Sequence, residues 1–163
     1  MDKIQYIQLA PAHFEGVIAL GNFVHGDNYL NQDSLKSLYE AIFSGQINAS
    51  YVAILDHKVV GFRLTQAASN WTPDEWCSPS LWGVDTDKVC YFKCNTVDPA
   101  VQAKGIGSTL LTLSIEKPLA QGAVAGWAHI WRLLRKILIQ HIILIRAKGF
   151  NTGRVSIQAS IFC

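Results

Sequence analysis

The sequence contains no run of about 20 apolar residues, the length that a helix needs to cross a membrane. The apolar stretch ILIQHIILI at residues 137–145 is too short and carries Gln140 and His141. The first residues, MDKIQYIQLAP, also lack the basic start and long apolar core of a signal peptide. We therefore expect neither a membrane span nor a secretory leader, and a cytoplasmic protein.

Cysteine is scarce: the chain has four, Cys77, Cys90, Cys94 and Cys163. So few thiols in a chain without an evident leader predict reduced cysteines rather than a disulfide framework. On an extended strand Cys90 and Cys94 would point to the same face, but no neighbouring residue completes a metal site. We therefore predict core cysteines and no bound metal.

Acidic residues are absent after Glu116. All 12 acids and seven of the 14 basic residues lie up to that position, giving a net charge of −5, whereas residues 117–163 carry +7. A basic segment of this kind can bind nucleic acid. This one is rich in Ile and Leu, unlike a solvated basic arm, so we expect no nucleic-acid partner.

Apolar residues are plentiful enough for one folded domain. Of the 163 residues, 50% are hydrophobic and 16% are charged, which argues against disorder. A chain of this length buries roughly 68–70% of its unfolded surface.

The apolar periodicity predicts the element order β-α-α-β-β-β-α-β between residues 3 and 131. The strands on either side of the third helix should pair in parallel through a crossover, and the other strands should be antiparallel. The fold class is therefore α+β (α/β), with a mixed, mostly antiparallel central sheet and flanking helices. The predicted strands cover 3–9, 51–55, 59–67, 89–97 and 123–131. The first and third predicted helices cover 11–20 and 109–122. The second begins after Asp33 or Ser34 as its N-cap and extends to 43.

Two predicted loops separate these elements. Gly21 and the segment HGDNYLN at 25–31 should form the first. The second, at 69–88, holds three tryptophans and is long for a loop in a compact domain, so it is either functional or contains a short helix.

Residues 97–108, VDPAVQAKGIGS, join a predicted strand to a predicted helix. A helix start leaves backbone N–H groups without partners and carries partial positive charge, so an anion stabilises it. Gly105 and Gly107 would let these amides approach an oxygen-rich ligand, and Lys104 adds charge. The pattern indicates a phosphate cradle; the alternative is a glycine turn that binds nothing. Neither G-x-x-x-x-G-K-[ST] nor G-x-G-x-x-G fits, because Lys104 precedes Gly105 and Leu110 occupies the third glycine position.

The stretch QAKGIG at 102–107 resembles the Q/R-x-x-G-x-G/A signature of the GCN5-related N-acetyltransferases (GNAT), and the element order from 3 to 131 agrees with that family's fold. The resemblance implies acetyl-CoA as co-substrate, with its pyrophosphate on the backbone around Ala103 to Ser108. Its pantetheine would lie in a V-shaped gap between the strands 89–97 and 123–131. The implied cofactor-binding residues are Thr96, Val97, Gln102, Ala103, Lys104, Gly105, Ile106, Gly107 and Ser108.

The resemblance also implies an acceptor pocket built by the first two helices and the loops of the sheet. Its candidates are aromatic residues with nearby carboxylates, which would suit a small-molecule or peptide amine. In the alternative interpretation the tryptophans cap the sheet edge and the acids are solvated. The acceptor-binding candidates are Tyr29, Trp71, Asp74, Glu75 and Trp76, together with Trp82.

Proton removal has two candidate residues. Asp98 ends the strand before the motif, but it would serve equally as a turn-former beside Pro99. His129 would face the same gap from the following strand, although a core or surface histidine is the simpler interpretation. Asp98 and His129 are therefore the catalytic candidates.

The C-terminal segment, 132–163, departs from the resemblance. It completes or extends a domain at 1–131, and the chain has no tyrosine after Tyr91, where the family often places one that protonates the departing thiolate. The segment is either a native variant, with a helix at 132–148 and a last strand at 154–162, or the product of out-of-frame translation near Trp131. The second alternative would expose apolar surface and favour a homodimer.

Three functions remain open at this point. The first is acetyl transfer from acetyl-CoA to an amine by direct attack. The second is a CoA-binding protein with impaired or no catalysis because of the atypical C-terminal segment. The third, a membrane or partner contact through the basic apolar tail, is weakened because Ile and Leu surround the predicted helix.

Overall fold

The protein is built around a single mixed sheet. The structure, a computed structural model, describes residues 3–41, 47–70, 85–123, 125–132, 137–144 and 158–160. The sheet has seven strands in chain order. The strands are β1 (Gln5–Gln8), β2 (Tyr51–Leu55), β3 (Lys58–Ala67), β4 (Val89–Val97), β5 (Ala125–Arg132), β6 (Ile137–Leu144) and β7 (Gln158–Ser160), and the helices are α1 (Phe14–His25), α2 (Gln32–Glu40) and α3 (Ile106–Ala120).

The predicted element order and the mixed sheet are confirmed. Strands β1 to β4 pair antiparallel, whereas β4 and β5, on either side of α3, pair in parallel. The parallel pair is possible because α3 carries the chain back to the end of the sheet at which β4 begins, so β5 runs in the same direction as β4.

The β2–β3 hairpin joins the strands that the sequence predicted at 51–55 and 59–67, and β3 begins one residue earlier, at Lys58. Its two turn residues, Asp56 and His57, have φ angles of 49° and 62°. Two successive positive φ angles are the geometry of a two-residue hairpin turn whose twist matches that of the strands. The turn therefore fixes the pairs Leu55↔Lys58 and Ile54↔Val59, and an irregularity between Ala53 and Ile54 then shifts the register by one residue.

The predicted boundaries of all three helices were wrong by about two to five residues, and α3 covers Ile106–Ala120 where 109–122 was predicted. Gly21 lies inside α1, because a Cβ there would stand 2.8 Å from Leu30 Cδ1 and 3.3 Å from Phe62 Cζ; the glycine serves close packing, not a loop. The N-cap of α2 is Asn31, whose side chain accepts from Ser34 N–H at 2.9 Å, rather than Asp33 or Ser34. The predicted end of α2 at 42–43 lies outside the described residues.

Two apolar layers hold the helices to opposite faces of the sheet. Val17 of α1 and Leu35 of α2 pack with Phe62 and Leu64 of β3. On the other face, Ile106 and Leu110 of α3 pack with Ala53 and Val60, and both α3 side chains are at most 2% exposed. Full burial of side chains of this size stabilises a fold by about 1.5–3 kcal/mol each.

A β-bulge in β4 overturns the predicted placement of the cysteines. The ladder passes from Leu64↔Cys94 to Thr65↔Phe92, so Lys93 has no partner on β3. The extra residue changes the alternation of side chains: Cys90 packs with Phe92 and Ile115 on the α3 face, whereas Cys94 packs on the α1 and α2 face. Both remain free thiols, and burial raises the pKa of Cys90 to about 12.

The predicted helix at 132–148 is contradicted by the backbone. Residues Ile137–Leu144 form β6, which pairs antiparallel with β5 from Ile137 to Ile143. β-branched isoleucines favour strands, and a partner strand was available beside them. Gln158–Ser160, inside the predicted last strand, pairs with β6. The boundary between a domain at 1–131 and a segment at 132–163 stays a prediction.

Membrane insertion through a helix finds no support in the described part of the chain, where no helix combines the length and the hydropathy needed to span a bilayer.

Gly61 of β3 sets how closely α3 approaches the sheet. A Cβ on Gly61 would stand 3.0 Å from Ile106 Cγ2 and 3.2 Å from the carbonyl oxygen of Thr96. The first neighbour is the side chain that anchors the start of α3, and the second is backbone that moves only with β4. The start of α3 therefore has its position because residue 61 has no side chain.

We predict that Gly61→Ala lowers the free energy of unfolding by about 1–3 kcal/mol, the usual cost of overpacking a well-filled core. Gly107→Ala makes the same chemical change inside α3, where a Cβ would have only ordinary contacts at 3.5 Å. Alanine is the better helix former, so this control should be neutral or up to about 1 kcal/mol more stable. Urea denaturation of both variants measures the difference, and equal stabilities would refute the packing argument.

Candidate functional site

The parallel ladder between β4 and β5 is short. It runs from Val89↔Ala125 to Tyr91↔Trp127, although β4 continues to Val97 and β5 to Arg132. No further pair joins these two strands among the residues that the structure describes. The C-terminal halves of the two strands are therefore not paired with each other, at the place where the resemblance implies a V-shaped gap.

The bulge at Lys93 explains why the strands separate where they do. An extra residue bends its strand and increases the local twist. The bulge falls two residues after Tyr91, where the pairing with β5 ends. From this point β4 stays paired with β3, up to Val97, and its other edge faces the gap.

The main-chain groups of Asn95 and Val97 are directed at this gap. Asp98 N–H donates to the carbonyl oxygen of Val60 on β3 at 2.9 Å. Residues of an antiparallel pair alternate between bonding the partner strand and pointing away from it. Asn95 and Val97, three residues and one residue before Asp98, therefore direct their N–H and C=O groups away from β3, where an extended ligand could pair with them.

The loop after β4 connects this strand to the start of α3. Ala103 and Gly105 have φ angles of 64° and 75°, and α3 begins at Ile106. The first bond of the helix runs from Thr109 N–H to the carbonyl oxygen of Gly105 at 3.0 Å. Within the described residues, the N–H groups of Ile106, Gly107 and Ser108 donate to no protein acceptor, as expected for a first turn.

Two contacts hold these amides in place. The Ile106 side chain is 2% exposed and lies in the core, and Asn95 Nδ2 donates to the carbonyl oxygen of Gly107 at 3.2 Å. The second contact ties the helix start to the edge of β4 that borders the gap. Thr96 is also 2% exposed, and because it lies two residues before Asp98 its main-chain groups face β3. Ile106 would therefore reach a ligand through its main chain only, and a role of Thr96 in cofactor binding stays a prediction.

The helix start fits an oxygen-rich anion. An ideal Cβ on Gly105 has no protein atom within 4 Å, so a side chain here would stand in open space next to the start of α3. Most of the predicted contact residues are exposed, and Lys104 among them supplies positive charge. The exposed members are Gln102, Ala103, Lys104, Gly105 and Ser108.

Several polar side chains lie close together on the α1 face of β4, near the C-terminal end of α1. His25 Nε2 lies 2.8 Å from Thr96 Oγ1. The His25 ring packs on the ring of Tyr29 with centroids 4.3 Å apart, and the Tyr29 hydroxyl is hydrogen-bonded to Cys94. Burial lowers the pKa of His25 and raises that of Tyr29. Sequence reasoning singled out Tyr29 but not His25.

Solved structures of acetyltransferases share this architecture. An acetyltransferase of the GNAT family from Staphylococcus aureus Mu50 is 16% identical, with a TM-score of 0.57, and the match covers 78% of this chain and 73% of that one. Diaminobutyrate acetyltransferase EctA from Paenibacillus lautus, in complex with L-2,4-diaminobutyric acid and coenzyme A, is 15% identical, with a TM-score of 0.57 and coverage of 80% and 67%. YncA from Salmonella typhimurium, with its cofactor acetyl-CoA, is 18% identical, with a TM-score of 0.57 and coverage of 78% and 70%.

The chain has the GNAT fold. Neither a protein-family model nor a curated protein matches the sequence. At these identities the likeness establishes the fold alone, and the function has to be argued from the residues of the site.

Most of the predicted acceptor-binding residues of this GNAT-fold chain come from the loop at 69–88. Trp71, Asp74, Glu75, Trp76 and Trp82 lie outside the described residues, and their roles stay predictions. The backbone of His129 lies on β5 opposite Gln140, in the part of β5 that is not paired with β4. Its catalytic role stays a prediction too.

Asp98 is engaged by the turn that it begins. Its Oδ1 accepts from Ala100 N–H at 2.9 Å, and its Oδ2 lies 3.4 Å from Lys58 Nζ. The hydrogen bond from Ala100 N–H is the main cause that holds the pKa of Asp98 below its usual value, and the contact with Lys58 lowers this pKa further. These contacts agree with the turn-former that the sequence left open, and a general-base role for Asp98 stays a prediction.

We predict that Asp98→Ala lowers the free energy of unfolding by about 1 kcal/mol, as for other lost N-caps, whereas Asp98→Asn keeps an acceptor for Ala100 N–H and loses less. Since folding lowers the pKa of Asp98, its ionised form stabilises the fold above the unfolded value of 3.8 and this contribution disappears as the pH falls through the folded value. Urea denaturation at pH 7 and at acidic pH measures both effects. A difference between the wild type and Asp98→Asn that is independent of pH would contradict this account.

Proposed function

We propose that the protein is an acetyl-CoA-dependent N-acetyltransferase that transfers an acetyl group directly to an amine. The observation that carries the proposal is the set of unpartnered amides of Ile106, Gly107 and Ser108, which lies beside the gap between β4 and β5. A diphosphate at these amides leaves the rest of an extended ligand free to follow the open edge of β4.

The shape of the site favours coenzyme A over a smaller anion. A helix start alone would bind any phosphate. Here the free amides continue into an unpaired strand edge, where Asn95 and Val97 direct main-chain donors and acceptors outward. The pantetheine arm contains two amide groups, so it can pair with such an edge as another strand would. The acetyltransferase complexes with coenzyme A or acetyl-CoA that share this fold support the same ligand.

The role of the chain in the reaction is then mainly positioning. The amides at the start of α3 fix one end of the coenzyme, and the edge of β4 fixes the thioester arm. Holding two reactants in the right geometry can lower the barrier by about 7–11 kcal/mol. An N–H group of the β4 edge that points to the thioester oxygen would also stabilise the charge that develops there.

The acceptor would approach from the α1 face of β4. The half-buried Tyr29 ring and the His25 ring form an aromatic surface beside Thr96. Aromatic faces attract ammonium groups, which suits an amine that arrives protonated. A small-molecule or peptide amine is therefore the proposed acceptor class.

Binding of acetyl-CoA without efficient catalysis is the second candidate. It is favoured by one observation: no tyrosine follows Tyr91 in the chain, so the C-terminal segment offers no phenol to protonate the departing thiolate. Turnover with an amine panel distinguishes the two functions. The cytoplasmic location and the homodimer remain predictions.

We predict that Gly105→Ala weakens acetyl-CoA binding at least about 10-fold in titration calorimetry, because the added methyl group stands in the open space next to the start of α3, where the diphosphate would bind. Gly122→Ala is the matched control. Gly122 also has a positive φ, 88°, and an open Cβ position, but it follows the other end of α3. Both substitutions should cost a similar 1–2 kcal/mol or so of stability from backbone strain, and only the first should change affinity.

A truncated ligand tests whether the effect of Gly105→Ala on binding depends on the diphosphate. S-acetylpantetheine lacks the diphosphate, so its weaker binding should be the same for the wild type and for Gly105→Ala. Absence of acetyl-CoA binding by the wild type at millimolar concentration would refute the proposed function. Equal effects of Gly105→Ala on both ligands would refute the phosphate cradle.

A further inference from the structure

His25 is placed where an acceptor amine would meet the thioester. It is the last residue of α1, and its Nε2 lies 2.8 Å from the hydroxyl of Thr96. Thr96 lies between Asn95 and Val97, the two residues whose main chain faces the gap. Since a strand rises about 3.3 Å per residue, the His25 ring is within one or two residue lengths of the proposed path of the pantetheine arm.

The ring is held from two directions. Thr96 bonds its Nε2, and the Tyr29 ring packs against it at 4.3 Å with an interplanar angle of 35°. Tyr29 is itself fixed by its hydrogen bond to Cys94 of β4. His25 nevertheless is exposed, so a substrate can reach it. A held but accessible imidazole is the arrangement that proton transfer requires.

The surroundings of the ring favour its neutral form. The titratable groups in the loop after α1 are Asp27 and Tyr29, and those on β4 are Cys90, Tyr91, Lys93 and Cys94. Among the described residues, no carboxylate forms an ion pair with His25. Burial lowers its pKa and raises those of Tyr29 and Cys94, so both neighbours stay protonated and uncharged at neutral pH.

The contact with Thr96 occupies Nε2 of the His25 ring, and the tautomer of the ring sets which partner donates. Its buried hydroxyl has His25 as its only hydrogen-bond partner within the described residues. When Nε2–H donates to Thr96 Oγ1, the tautomer that results leaves the lone pair of Nδ1 free to accept a proton.

We propose that His25 is the general base that deprotonates the acceptor ammonium, and that Thr96 is a positioning residue that fixes its ring. This inference rests on the proposed function. The ammonium gives one proton to Nδ1, and the amine lone pair then forms a bond to the thioester carbon. The carbon–sulfur bond breaks, its electron pair leaves with the sulfur, and the thiolate takes the second proton from nitrogen. Solvent removes the proton from His25, so one proton is released per turnover.

The test compares the pH dependence of acetylation by the wild type and by His25→Gln, with thiol release as the readout. The acceptors are spermidine, kanamycin, L-2,4-diaminobutyrate and a lysine-containing peptide. We expect kcat to fall about 100-fold or more, while the Kd for acetyl-CoA changes less than about twofold. In the wild type, activity should fall as the pH drops through a pKa below 6.5, and this acid limb should be absent from His25→Gln.

Two variants separate catalysis from structure. His57→Asn is the control, because His57 is an exposed turn residue with a φ of 62°, which asparagine tolerates, and it should keep the rate and the acid limb. Thr96→Val removes the hydroxyl at nearly constant volume and should lower kcat and displace the acid limb. Thr96→Ser, which restores the hydroxyl, should recover most of the rate.

Each outcome decides between the inference and the function on which it rests. A His25→Gln enzyme that keeps its rate and its acid limb overturns the inference but leaves the acetyltransferase intact. A His25→Gln chain that loses acetyl-CoA binding together with the rate shows a structural role and also overturns it. A wild type that binds acetyl-CoA and acetylates none of the four amines overturns the inference and leaves a CoA-binding protein. A wild type that does not bind acetyl-CoA refutes the proposed function itself.

Discussion

The early end of the ladder between β4 and β5 is the constraint on which the rest of the site depends. Strands that are neighbours in a sheet normally pair along their shared length, because an unpaired backbone group away from water is costly. Here pairing ends at Tyr91 and Trp127, and the β4 edge beyond it is left with main-chain groups that need partners. The bulge at Lys93 imposes this geometry, and a ligand that resembles a strand can satisfy it.

The two faces of β4 contribute to different parts of the proposed site. On one face, α3 packs through Ile106 and places its free amides beside the last residues of the strand. On the opposite face, the end of α1 brings His25 to Thr96. Neighbouring residues of a strand point to opposite faces, so one strand can serve both, and the bulge between Phe92 and Cys94 sets which of the later residues face α1. One irregular strand thereby separates a coenzyme side from an acceptor side.

Buried residues in this region position the backbone of the site more than they supply charge to it. Asp98, which the sequence offered as a base, caps its own turn and pairs with Lys58, so its carboxylate stabilises the loop that leads to the cradle. Gly61 similarly has no contact with a ligand, yet it sets the distance between α3 and the sheet. Residues of this kind explain why a short motif is insufficient by itself: the amides are useful only where the packing holds them.

The sequence by itself determined the order of the elements, the β2–β3 hairpin, the extent of β4 and the glycine-rich helix start. These follow from local rules: alternation, helical spacing, positive φ angles and the unpaired amides of a first turn are all properties of neighbouring residues. Only the tertiary structure decided the faces of Cys90 and Cys94, the strand at 137–144, the use of Asp98 as a cap and the meeting of His25 with Thr96. A bulge shifts every later side chain by one face, a strand needs a partner that sequence periodicity does not name, and the contact between His25 and Thr96 joins residues 71 positions apart. Long-range pairing decides such features, and no local pattern encodes it.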